Sequence, residues 1–226
     1  DRVRHLAESQ GFDWDPGLWR MVLASNGGAV AAALAALDDG VAGSLSSGLH
    51  HARRAGGAGF CTFNGLVLAA RRALAAGAAS VLIVDLDAHC GGGTASLIAS
   101  EPRIWQVDVA VNSFDHYDVT ARDTAGDRLW LEHVTRSDDY LAAVRRGIGH
   151  ASAHGPAFDL CLYNAGMDPH QDSSTGGLRG ITTAILAERE RLVFEWARDR
   201  GVPIAFVIAG GYVSPRLDAP GLVALH

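Results

Sequence analysis

Val81-Leu82-Ile83-Val84-Asp85-Leu86-Asp87-Ala88-His89-Cys90-Gly91-Gly92-Gly93 is the stretch whose reading decides the fold. Its first four residues are apolar and three of them are β-branched, the composition of a short strand buried on both faces. Asp85, Asp87 and His89 then follow at alternate positions. Side chains alternate faces along a strand, so Asp85 and Asp87 point the same way, and His89 joins them if the strand geometry persists. Such a cluster at the carboxyl end of a buried strand sits where open α/β sheets bind ligands. Ionised carboxylates there need a metal or a partner, unlike a single Asp that merely caps the next helix. The three glycines let backbone approach whatever is bound.

The surrounding chain has 226 residues, 48% of them apolar, enough for one sizeable core. The formal net charge is −6, with both signs mixed along the chain and arginine as the only fixed cation. No basic tract marks a nucleic-acid or membrane footprint, and no apolar run reads as long enough to span a bilayer. Cys61, Cys90 and Cys161 are few, odd in number and widely spaced, which argues against a disulfide framework and for a reducing, cytoplasmic setting. They read as packed and inert, with Cys90 a candidate for oxidation beside a ligand residue.

Working outward, residues 17–38 read as an Ala- and Leu-rich helix broken at Gly27-Gly28. Val41 to Ser47 reads as a short strand, and Asn64 as the cap of a helix running to Ala76. Further strands are expected over Arg103–Val109, Leu129–Val134, Phe158–Tyr163 and Pro203–Ile208. Asn112 to Asp127 reads as a long polar loop; helices are expected from Ser137 to His154 and from Thr182 to Arg200. Strands alternating with helices predict an α/β fold with a parallel sheet covered on both faces, in one domain.

Four segments place polar groups directly after a predicted strand: His50-His51, Asp85/Asp87/His89, Asp168 to Asp172, and Tyr212. A parallel sheet gathers such tips along one edge. Two carboxylates and one imidazole leave a zinc ion a free position for water. A neighbouring histidine can move the proton and a tyrosine hydroxyl can stabilise an oxyanion. The inventory fits metal-assisted hydrolysis of an amide. His116, His133, His150, His154 and His226 read as ordinary histidines, and Arg53 and Arg54 as solvated cations.

Taken together, the segments resemble the zinc-dependent histone deacetylase family. Gly48-Leu49-His50-His51-Ala52-Arg53-Arg54 through Gly59-Phe60-Cys61 is similar to its histidine loop, and Asp85-Leu86-Asp87-Ala88-His89 to its metal strand. Asn164-Ala165-Gly166-Met167-Asp168 through Gly176-Gly177-Leu178 resembles its second metal segment, and Ala209-Gly210-Gly211-Tyr212 its tyrosine turn. Tyr163 to Gly166 and the charged helix Ala187 to Phe194 look closest to the class IV branch and its bacterial relatives. The resemblance implies a three-layer arginase/deacetylase fold with a central, mainly parallel sheet, and a segment lacking the family's first strand and last helix. It implies Zn2+ as cofactor, with Asp87 and His89 as ligands, and an acylated lysine or small acylated amine as substrate. It casts His50 and His51 as paired base and acid, Asp85 as the carboxylate behind His50, and Tyr212 as the group polarising the carbonyl. Gly59, Phe60 and Gly211 would bind substrate, with Phe60 in the tunnel wall.

Three departures accompany it. Counting along the second metal segment puts Ser173 where an Asp is expected, so Asp172 is taken as the third ligand, with Asp168 in reserve. Gly92 stands where a carboxylate or amide would partner His51, which leaves His51 without a side-chain partner. Cys90 follows the ligand histidine where His or Gln is usual. The departures leave two rivals: a degenerate relative that binds an acylated ligand or partner without turnover, and a binuclear manganese ureohydrolase.

Overall fold

The computed structural model describes residues 2–226. In chain order the elements are α1 (Arg2–Glu8), α2 (Leu18–Asp39), β1 (Val41–Ser44), α3 (Gly65–Ala75), β2 (Val81–Asp85), α4 (Gly92–Ile98), β3 (Ile104–Ala110) and α5 (Val119–Ala125). A 3₁₀ turn over Gly126–Arg128 leads into β4 (Leu129–His133), α6 (Ser137–His154), β5 (Leu160–Ala165), α7 (Thr183–Arg200), β6 (Ile204–Ile208) and α8 (Ala219–Leu225). The six strands form one parallel sheet in the order β1-β6-β5-β2-β3-β4.

Strand alternation divides the core in two. Leu82 and Val84 of β2, Val107 of β3 and Tyr163 of β5 pack with Tyr140, Val144 and Ile148 of α6 and Leu186 and Val193 of α7. Val81 and Ile83 of β2 and Leu160 and Leu162 of β5 face the alanine-rich sides of α2 and α3. The chain runs outward from β2 to β3 and β4, then crosses back to lay β5 on β2's other side. The sheet therefore changes direction between β2 and β5, where Asp85 and Asn164 are register partners at the strand ends. Ligand crevices form at such a reversal.

Local chemistry explains most of the element ends. The Asn64 side chain accepts from Val67 N and caps α3, while its amide donates to the carbonyls of His50 and Ala52 and to Thr94 Oγ1. One residue thus starts a helix and pins the histidine loop. Thr182 caps α7, and Gly201 ends it in the left-handed conformation. Helix α2 runs unbroken through Gly27 and Gly28. A Cβ on Gly28 would lie 2.4 Å from Ser44 Oγ, so this glycine serves close packing on the end of β1. The predicted polar loop 112–127 contains α5, and the first strand stops at Ser44. By length and composition α2 could cross a bilayer, contrary to the sequence expectation. Here Ala29, Ala32, Ala33 and Ala36 pack it into the core beneath β6 and beside α3.

Asn64→Ala should lower unfolding stability by about 2–4 kcal/mol, because it removes a helix cap and strands buried polar groups. Urea denaturation checks this; an unchanged midpoint would show that the histidine loop is held by other means.

Candidate active site

The tips of β2 and β5 bring the ionisable residues together because each strand ends against backbone that can approach it. Asp87 Oδ1 accepts from His89 N at 2.9 Å, and Oδ2 accepts from Gly210 N at 2.9 Å. Asp168 Oδ1 accepts from Ala88 N at 2.9 Å. A Cβ on Gly210 would lie 2.2 Å from Asp168 Oδ2 and 2.6 Å from Asp87 Oδ2, so only glycine fits this turn. From below, the fully buried Arg189 of α7 donates to the carbonyls of Leu86 and Gly166, tying the two carboxylate segments to each other.

Ligand atoms of Asp87, His89 and Asp168 lie within 4.8 Å of one another. His89 Nδ1 is 3.0 Å from both Asp87 Oδ1 and Asp168 Oδ2. Asp168 Oδ2 is nevertheless buried with no hydrogen-bond partner. Two carboxylate oxygens and an imidazole nitrogen, one of the oxygens orphaned, suit a divalent cation. Without one the cluster holds protons instead. Burial and the charge of Asp87 push the Asp168 carboxyl up to about 7. Burial would lower the His89 pKa, but the Asp168 and Asp87 carboxylates beside it outweigh it and raise it to about 9.

Asp172 is not part of this cluster. Its carboxylate lies 4.0 Å from Arg216 Nη1, and its backbone N donates to His170 Nδ1. The expectation that Asp172 completes the set is corrected: Asp168, the reserve, holds that place. The physical reason is register. Asp168 follows the end of β5 directly and its N–H bonds Gly210 O, whereas Asp172 is already in the turn that leads away.

His50 and His51 stand beside the cluster, both buried. His50 Nδ1 lies 2.8 Å from Asp85 Oδ2, and Asp85 Oδ1 also accepts from Asn164 Nδ2. His51 Nδ1 lies 3.0 Å from Asp115 Oδ2. The expectation that His51 lacks a side-chain partner is therefore overturned. Carboxylates only accept, so both Nδ1 atoms donate, and the two Nε2 atoms face each other at 3.1 Å. That pair of nitrogens has room for one proton. Burial works against charge on His50, but Asp85 and Asp87 hold its pKa well above the usual value. Burial and the neighbouring His50 lower that of His51, despite Asp115. Of the two, His51 is the more readily deprotonated.

A cavity of about 660 Å³ opens onto these groups and is lined by Gly59, Phe60, Gly211 and Tyr212 among others. The Tyr212 ring stands edge-on to His89, with centroids 6.4 Å apart. Phe60 adopts φ +62 and packs its ring against Phe12. A Cβ on Gly59 would lie 2.5 Å from His51 Cδ2. Phe114, which the sequence did not single out, sets its ring edge against both His51 and His89. Its signal was position: it and Asp115 follow β3, the strand beside β2, on the same edge of the sheet. Arg53, read as solvated, is ion-paired to Asp115 and Asp118. Cys90 is buried, and its thiol is pushed far up by burial and by Asp108, which leaves it little thiolate to oxidise.

Residues 4–220 match the histone deacetylase domain. The chain is 30% identical over 188 residues to histone deacetylase 2 of Arabidopsis thaliana, covering 83% of this chain and 48% of that protein. It is 27% identical over 216 residues to the polyamine deacetylase HDAC10 of Rattus norvegicus, covering 86% of this chain and 34% of that one. The crystal structure of acetylpolyamine aminohydrolase from Burkholderia pseudomallei superposes with a TM-score of 0.74 at 24% identity, over 86% of this chain and 58% of that one. The chain thus spans about half or less of these two relatives, yet nearly all of it lies within the matched domain, and it belongs to the histone deacetylase family.

Proposed function

We propose that this chain carries the site of a zinc-dependent amidohydrolase that removes an acetyl or other acyl group from an amine. The observation that supports it best is the buried Asp87–His89–Asp168 cluster standing against a histidine pair whose outer nitrogens share one proton position. Zinc held by those three residues would polarise the amide carbonyl and make a water molecule acidic enough to be deprotonated near neutral pH. The histidine pair accepts that proton, His51 being the member whose pKa is held low. The histidine pair then returns a proton to the departing amine. Tyr212 donates its hydroxyl to the carbonyl oxygen as negative charge develops there. Phe60 and Phe114 hold the linear part of the acylamine and keep bulk water from the reacting bond.

A small acylated polyamine or an acylated lysine would both fit this chemistry. The likeness to a polyamine deacetylase favours a free amine. The binding-only alternative rested on two departures, the shifted third carboxylate and the missing partner of His51. Asp168 beside Asp87 and His89, and Asp115 beside His51, speak against it. A binuclear manganese site would need a second such cluster, and the described residues offer one.

The zinc-loaded protein, given N-acetylated diamines and acetyl-lysine peptides, should release acetate, with one zinc per chain by elemental analysis. No release from any acylamine would overturn the proposal. Asp87→Ala and Asp168→Ala should both lose tight zinc after dialysis against a chelator, while Asp172→Ala keeps it; the reverse result for the last two would reinstate Asp172. Tyr212→Phe should lower kcat about a hundredfold or more with zinc content unchanged, as loss of one oxyanion donor does. Near-normal turnover would make Tyr212 a wall residue only.

A further inference from the structure

The carboxylate that holds His51 reaches it from an unexpected direction. Asp115 lies in the loop after β3, not on the strand that carries Asp85 and Asp87. Its backbone is in the left-handed region, φ +64, which an L-residue adopts at a cost and Asp tolerates better than most. Three sets of bonds hold it there. Val111 N and Asn112 N both donate to Ala88 O, which roots the loop on the metal strand. Asp115 Oδ1 accepts from His116 N at 2.7 Å. Arg53 Nη2 donates to Asp115 Oδ1 at 2.5 Å and to His116 O at 3.0 Å, while Nη1 reaches Asp118 Oδ2 at 2.7 Å. Arg53 belongs to the histidine loop itself, so the guanidinium fastens that loop to the one carrying Asp115.

Gly92 provides the room. A Cβ there would lie 2.1 Å from His116 O, 2.5 Å from Asp115 Oδ1 and 2.7 Å from Arg53 Nη2. The carbonyl is backbone and cannot swing away, so any larger residue at 92 would push the loop off. The missing side chain at 92 and the incoming carboxylate are therefore one arrangement.

We infer that Asp115, clamped by Arg53 in the space left by Gly92, is the positioning residue of His51 in the reaction proposed above. It accepts Nδ1–H, fixes that tautomer and the ring's orientation, and leaves Nε2, which faces His50 Nε2, as the ring's accepting nitrogen. A mere loop anchor would bond Arg53 equally well and have no effect on the imidazole. The inference rests on the hydrolase reading only for its kinetic part, because the tautomer is a property of the resting protein.

The test combines 15N-histidine NMR with kinetics on the parent, Asp115→Ala and Asp115→Asn, each at full zinc content and repeated after chelation. The parent should show His51 protonated at Nδ1. Asp115→Ala should shift it to a mixture of tautomers and lower kcat roughly a hundredfold, with KM changed less than about threefold. Asp115→Asn keeps its one oxygen where Arg53 and His116 N donate and turns its NH2 to His51 Nδ1, so it should drive the ring to the Nε2–H tautomer and lower kcat at least as far as the alanine variant, and it serves as well if that variant does not fold. An Asp115→Ala protein with the parental tautomer and kcat, whatever its stability, overturns the inference, and so does an Asp115→Asn protein that keeps both. A parent that holds the Nδ1–H tautomer but hydrolyses no acylamine would sink the hydrolase reading and leave the positioning of His51 by Asp115 standing.

Discussion

Asp85, Asp87, Asp108 and Asp168 are all buried where the central strands end. An ionised carboxylate without partners cannot persist in such a place, since its desolvation costs far more than the stability of a domain. The rest of the structure is arranged around that constraint. Backbone N–H groups of Ala88, His89, Gly91 and Gly210 point at these oxygens. His50 and Asn164 serve Asp85. Asp108, with burial and Asp85 against its charge, is held well above the usual carboxylate range. Of these carboxylates Asp108 Oδ1 and Asp168 Oδ2 stay without a hydrogen-bond partner, and Asp168 Oδ2 is the one that belongs to the Asp87–His89–Asp168 cluster.

Arg189 meets the same constraint with the opposite sign. Its guanidinium is fully buried, and it is satisfied by two carbonyls, Tyr140 and the adjoining Glu190. A buried cation that has lost its partners is as costly as a lone anion. The carbonyls of Leu86 and Gly166 are thereby held in place, and with them the relative position of Asp87 and Asp168. Helix α7, remote from the cavity in sequence, acts on the spacing of the candidate ligands through one side chain.

Local chemistry in the sequence revealed the sheet and most of the site. The run Val81 to Val84 followed by alternating Asp-x-Asp-x-His identifies a buried strand and the ionisable cluster at its tip. Asn64, Ser137 and Thr182 mark helix starts that the structure reproduces within a residue. Gly27-Gly28 misled because glycine weakens an isolated helix, while here packing on Ser44 decides. Asp172 misled because counting along a segment ignores where the strand stops. Asp115 was illegible for a different reason. Its bond to His51 joins residues far apart in the chain, and nothing local in a polar loop announces a left-handed aspartate aimed back at the sheet.

The volume above Gly92 can be filled only once. A side chain anchored on α4 and the carboxylate arriving from the loop after β3 compete for the same few cubic ångströms. Exchanging one supplier for the other therefore passes through a single substitution that leaves the pocket either overfull or empty. Positions 92 and 115 form an epistatic pair: the fitness of a residue at one is undefined until the other is specified. A designer grafting this histidine pair into another scaffold would have to carry both positions across, together with Arg53, or carry neither.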